Sequence, residues 1–269
     1  MPSPNLHVRS VGAGPAVICL HCNASSSGQW RALAEELAAD HRVLAPDLYG
    51  AGKSAGWPGQ HQLSLSDEVA FISPLLGTEP GPLALVGHSY GGAVALVAGL
   101  RYPKRIKAMV LFEPTLFSLV DAQSPPPNRA DGIRSAVASA TAALDRGDPD
   151  EAARYFIDFW SGEGCWAATP DERKAAMAKA IANIRHWQSA LFGEPAGLAA
   201  FASLQMPILY LQGGRSPKSA QAVAEVLIPV LPNVRVLRFP ELGHMAPVTH
   251  PQVVNAAIAD FLRESWALP

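Results

Sequence analysis

The chain has 269 residues, 49% hydrophobic and 16% charged, which is ample for a large buried core and excludes a disordered polypeptide. Lys and Arg number 21 against 23 Asp and Glu, for a net charge of −2 without long runs of either sign. That balance argues against nucleic acid or a membrane surface as partner.

No apolar run reaches the ~18 residues of a membrane span, and Met1-Pro2-Ser3-Pro4-Asn5 lacks the basic start and apolar stretch of a signal peptide. Three cysteines, Cys19, Cys22 and Cys165, form an odd and sparse set that fits a reducing compartment, so a cytoplasmic location is expected. Cys19 and Cys22 have C-x-x-C spacing, but Cys19 falls within an apolar strand and no second pair follows. Neither metal nor redox chemistry is expected of them.

Short apolar strands alternate with helical stretches along the chain. Ala16 to Leu20 reads as a strand ending at His21, and Gln29 to Ala39 carries Trp30, Leu33 and Leu37 at a helical period. Arg42 to Ala45 is a second strand, followed by Pro46-Asp47-Leu48, and Leu65 to Leu76 is helical. Leu83 to Val86 is a strand, Tyr90 to Arg101 a helix and Ile106 to Phe112 a strand closed by Glu113-Pro114. Strands at Ile208 to Leu211 and from Val234 flank a helix over Ser219 to Val230, and Pro251 to about Trp266 is the last helix. Repeated alternation predicts an α/β fold with a mostly parallel central sheet and helices on both faces. His21, Ser89 and Glu113 all fall at carboxyl ends of strands, where such sheets bind ligands.

Residues 115–204 interrupt the pattern. They carry no convincing strand, contain the stiff connector Ser124-Pro125-Pro126-Pro127, and continue in helical stretches over Ala130 to Leu144, Asp150 to Trp160 and Pro170 to Trp187. The expected organisation is a core of residues 1–114 and 205–269, with 115–204 as a helical cap over the strand ends. Most of the cap's aromatics are expected to pack it onto the core, and some to line an apolar pocket.

Gly87-His88-Ser89-Tyr90-Gly91 lies at the junction of a strand and a helix. A serine on a sharp strand-to-helix turn is a nucleophile elbow, and glycines two residues either side let strand and helix approach the strained turn. A serine hydroxyl is a weak nucleophile at neutral pH, so Ser89 requires a base within hydrogen-bond reach.

The ordered set of His21 at a strand end, Asp47-Leu48-Tyr49-Gly50-Ala51-Gly52-Lys53-Ser54, the Ser89 elbow and the near-terminal Gly243-His244 resembles the α/β-hydrolase superfamily over essentially the whole chain. The resemblance implies an α/β-hydrolase fold with His244 as the base. Asp47 is expected to brace its loop, and His21 and His88 to be structural. The usual acid, an Asp after the penultimate strand, has no counterpart in Gln212-Gly213-Gly214-Arg215-Ser216-Pro217-Lys218. Glu113 stands where a minority of relatives, including haloalkane dehalogenases, carry a catalytic Glu, and Glu241 is its rival. The expected oxyanion donors are the N–H groups of Tyr90 and Asn23, in a His21-Cys22-Asn23 stretch where relatives usually have His-Gly. Dehalogenation does not carry over, because that family's nucleophile is an Asp.

The expected activity is serine hydrolysis of carboxylic esters with an apolar acyl or alcohol part, through Ser89, His244 and Glu113 and without metal or organic cofactor. The same three residues would also serve carbon–carbon or thioester hydrolysis or acyl transfer, and a non-catalytic ligand-binding module is a further alternative. The expected partner is a small molecule, in a monomer or homodimer.

Overall fold

In the computed structural model, which describes residues 5–267, seven strands form one sheet. They are β1 (Val8–Val11), β2 (Ala16–Leu20), β3 (Arg42–Pro46), β4 (Leu83–His88), β5 (Ile106–Phe112), β6 (Ile208–Gly213) and β7 (Val234–Phe239), in the order β1-β3-β2-β4-β5-β6-β7. Every neighbouring pair is parallel except the antiparallel β1–β3 edge.

The helices are α1 (Arg31–Leu37), α2 (Leu65–Thr78), α3 (Tyr90–Arg101), α4 (Phe117–Gln123), α5 (Asp131–Asp145), α6 (Pro149–Ser161), α7 (Cys165–Ala168), α8 (Asp171–Ile181), α9 (Ile184–Phe192), α10 (Leu198–Phe201), α11 (Lys218–Leu227), α12 (Ala246–Thr249) and α13 (Pro251–Ala267). Successive residues of a strand point to opposite faces, so a strand buried on both sides is apolar throughout. Ile18, Leu20 and Leu85 accordingly join one core with α2, α3 and α11. Val17, Cys19 and Val86 join the other, with Leu33 of α1 and Val254, Ile258 and Leu262 of α13.

The departures from the sequence reading have local causes. β1 has no alternating pattern to reveal it, because both of its ends are only half-buried and its middle is exposed at the sheet edge. The helix expected over Pro170 to Trp187 is two, broken at Ala182 and Asn183. There the Asn183 amide donates to Ala180 O (3.2 Å) and to Gly50 O (3.3 Å), exchanging helix continuity for a tie to a core loop. The helix expected over Ser219 to Val230 tightens to a 3₁₀ turn from Ile228, since Pro229 cannot donate the next helical bond. Residues 115–204 hold α4 to α10 and no strand.

Two glycines decide how the chain turns between β4 and α3. A Cβ on Gly91 would lie 2.3 Å from Leu20 O of the neighbouring strand, and one on Gly87 would lie 2.5 Å from Gly91 O. Both obstacles are backbone, which cannot rotate aside. Gly91→Ala is therefore expected to cost about 1–3 kcal/mol through overpacking, seen as a thermal midpoint several degrees lower. An unchanged midpoint would contradict the crowding.

Candidate active site

Ser89 sits between β4 and α3 at φ 56° and ψ −116°, a conformation that costs a non-glycine residue about 1–3 kcal/mol and is tolerated only where its surroundings impose it. They do: Ser89 N–H donates to Phe112 O (2.9 Å) and Ser89 O accepts from Thr115 N–H (3.3 Å). Glu113, one residue past β5, is itself left-handed at φ 43°.

His244 lies between β7 and α12, with Nε2 2.9 Å from Ser89 Oγ and Nδ1 2.7 Å from Glu113 Oε2. A carboxylate only accepts hydrogen bonds, so Nδ1 carries the proton and Nε2 is left to accept from the serine hydroxyl. The other oxygen of Glu113 accepts from Gly213 N–H (2.8 Å) at the end of β6. The structure thus brings Ser89, His244 and Glu113 together, from the ends of three strands. Glu241 is exposed and ion-paired with Arg215, away from His244, and His250 is exposed and bonded to Thr249.

The two other histidines of this region are structural. His21 Nδ1–H donates to Cys22 O (2.7 Å) while Nε2 accepts from Leu48 N–H (3.0 Å), and burial holds its pKa below the usual range. Asp47 Oδ1 accepts from Ser27 N–H (2.6 Å) and Oδ2 from Lys53 N–H (2.9 Å), bracing its loop; these bonds outweigh burial and lower its pKa.

His88 does more than pack. Its Nδ1 accepts from Gln29 Nε2–H (3.1 Å) and its Nε2–H donates to His244 O (2.8 Å), while Gln29 Oε1 accepts from Cys22 N–H (3.0 Å). Burial, then the neighbouring His244, pushes the His88 pKa well down and keeps the ring neutral, as both bonds require. No sequence motif marks Gln29 for this place.

The N–H of Tyr90 opens α3, where the first amides of a helix have no partner in their own helix. In the loop after β2 the left-handed residue is Ala24 (φ 55°), not Cys22, so the cysteine standing where relatives have glycine needs no unusual backbone. Burial raises the Cys22 thiol to about 12, leaving it unreactive. The Tyr90 ring is anchored by its hydroxyl, which donates to Glu68 Oε1 (3.0 Å), while Glu68 Oε2 accepts from Tyr49 N–H (3.2 Å). Burial raises the Glu68 carboxyl to about 8 despite these bonds.

A cavity with about 330 Å³ of empty space, mouth included, contains Ser89 in its wall. Most of the lining is apolar and comes from α4, α5, α6 and α9, with Phe117, Ile133, Val137, Phe156, Trp160 and Trp187 prominent. Asn23, Thr115 and Gln188 are its other polar members. A second, smaller space of about 250 Å³ adjoins Tyr90, His21 and Tyr49, and shares Asn23 and Trp187 with the first. Trp160 also stacks on His244, ring centroids 4.0 Å apart and planes 28° from parallel. In the sequence this tryptophan is one of several aromatics in the helical segment, and nothing near it along the chain marks it as a neighbour of His244.

The alpha/beta hydrolase fold family matches residues 15–251. The chain belongs to that family. It is a hydrolytic enzyme. Among curated relatives, it is 32% identical over 155 residues to lipase LipV of Mycobacterium tuberculosis, a match spanning 54% of this chain and 58% of that lipase. It is 27% identical over 264 residues to a pimeloyl-[acyl-carrier protein] methyl ester esterase of Aromatoleum aromaticum, covering 93% of this chain and 98% of the relative. Among solved structures, a thermophilic esterase from Thermogutta terrifontis superposes with a TM-score of 0.74 at 24% identity, over 97% of this chain and 94% of that one, a likeness of fold.

The buried carboxyl beside Tyr90 makes stability depend on pH. Below about pH 4.5 Glu68 is protonated whether the chain is folded or not. From there to about pH 8 the folded state retains a proton that the unfolded chain releases, so this group lowers stability as pH rises through the window. Glu68→Gln, neutral at every pH, is expected to flatten that decline. Thermal midpoints of both proteins from pH 4.5 to 9 check it, and parallel curves would refute the assignment.

Proposed function

We propose that the protein is a serine hydrolase of carboxylic esters with an apolar acyl or alcohol part, working through a Ser89-His244-Glu113 triad. The observation that carries the reading is the pair of hydrogen bonds from Ser89 Oγ to His244 Nε2 and from His244 Nδ1 to Glu113, at 2.9 and 2.7 Å, beside an apolar cavity. The methyl ester esterase related over nearly its full length and the partly matching lipase support an ester as the scissile group.

Ser89 Oγ attacks the ester carbonyl as His244 Nε2 takes its proton, and the carbonyl π electrons move onto oxygen. The resulting oxyanion is received by the N–H groups of Tyr90 and Asn23, fixed dipoles that need no rearrangement as charge develops. Collapse of this intermediate breaks the bond to the alcohol oxygen, which takes the proton from His244. A water then repeats the sequence on the acyl-enzyme, with His244 again as base, and releases the acid and free Ser89. Throughout, Glu113 holds the productive tautomer and balances the imidazolium. Residues 115–204 act as a cap, whose Trp160 covers the base and whose aromatic wall receives the apolar part of the substrate.

Ser89→Ala is expected to lower kcat on p-nitrophenyl esters by a factor of order 10³ or more with the fold intact by circular dichroism. Glu113→Gln keeps the shape but loses the charge, and should cost about 10²–10⁴ in kcat, whereas Glu241→Gln should cost little. Residual Ser89→Ala activity above roughly a tenth of wild type, a generous bound for a nucleophile, would sink the nucleophile assignment. Equal losses in the two Glu variants would sink that of the acid.

Because Trp187 borders both cavities, Trp187→Ala should shift the preferred acyl chain toward longer p-nitrophenyl esters. An unchanged chain-length profile would separate residues 115–204 from substrate selection.

A further inference from the structure

The cavity beside Ser89 carries more polar capacity than an unsubstituted acyl chain can use. Thr115 is 1% exposed, yet its hydroxyl makes no hydrogen bond with any described residue, and the same is true of the buried Asn23 Oδ1. Both residues line the cavity that contains Ser89, and Gln188 adds an amide to the same wall. A buried polar group left unpaired is destabilising, so two of them on residues that line one space point to a ligand that pairs with them.

Thr115 is held close to the reacting centre by its backbone, whose N–H donates to Ser89 O at 3.3 Å. It stands two residues past Glu113, on the same left-handed turn that delivers the carboxylate. A group met by Thr115 therefore belongs to the substrate near the scissile carbonyl, not to the far end of an apolar chain. Asn23 Oδ1 accepts only, whereas the Thr115 hydroxyl both donates and accepts. A hydroxyl, which also does both, complements this pair better than a charged or purely accepting group, and no charged side chain lines the cavity to receive an ion.

We infer that the acyl part of the substrate carries a hydroxyl on the first or second carbon from the ester carbonyl, and that Thr115 is the residue that selects it. The inference rests on the ester-hydrolase reading for its reaction and on the unpaired polar atoms for its substrate class. One neutral hydrogen bond corresponds to about tenfold in kcat/KM.

The test compares methyl butyrate, methyl 2-hydroxybutyrate and methyl 3-hydroxybutyrate, with each rate divided by the ester's own alkaline hydrolysis rate. At least one hydroxy ester should exceed the plain ester by about tenfold in the wild type. Thr115→Val should bring that ratio near one, and Thr115→Ser should restore it. A second measurement needs no turnover: in Ser89→Ala, the methyl hydroxybutyrates should quench tryptophan fluorescence at about tenfold lower concentration than methyl butyrate. Preference for the hydroxy compounds in binding without hydrolysis of any ester would overturn the esterase reading and leave the assignment of Thr115 to hydroxyl recognition standing. Ester hydrolysis with ratios near one, or a preference that survives Thr115→Val, would overturn this one alone.

Discussion

A carboxylate taken wholly out of water must be met by donors, and Glu113, with no exposed surface, is met by two. Gly213 N–H serves one oxygen and the His244 ring serves the other. Leaving either out would strand a buried charge, at a cost of several kcal/mol. The pairing of β5 with β6 (Phe112 opposite Leu211) and of β6 with β7 (Gly213 opposite Phe239) brings the two donors to the end of β5. The register of the sheet and the orientation of the His244 ring are therefore one requirement.

His244 is held from three further directions. His88 fixes its backbone carbonyl, Ser89 meets its outer nitrogen, and Trp160 lies on its face. Through Gln29, His88 also ties the His244 loop to Cys22, the residue before the proposed oxyanion donor Asn23. One neutral ring thus spans the segment proposed to receive the developing charge and the segment that carries His244. Trp160 belongs to a helix inserted between β5 and β6, so the helical segment touches His244 directly as well as walling the cavity beside Ser89.

What the sequence made legible follows from how local each signal is. The Ser89 turn announces itself because its glycines, strand and helix are contiguous from Leu83 to Arg101, and α3 and β5 begin and end where their patterns do. Glu113 was reachable through an absence: the loop after β6 has no carboxylate, and the structure puts there a backbone N–H that binds Glu113 instead. Gln29, Trp160 and the unpaired Thr115 were not legible as neighbours of the site, because their significance lies in what stands opposite them in space. His88 reads from sequence as a structural residue, and its burial agrees, but its two hydrogen bonds depend on partners 59 and 156 residues away. The break between α8 and α9 escaped for the same reason, since it serves a bond from Asn183 to Gly50 across 133 residues.

These separations reach beyond the geometry of the site. Ser89 and His244 are 155 positions apart, and Glu113 and His244 are 131. Contacts so distant along the chain form only after most of the loop-closure entropy has been met. No fragment ending before β7 contains the full set, and no partly assembled sheet aligns it. Recovery of turnover during refolding would accordingly report completion of the whole sheet, where recovery of helical signal would report only its parts.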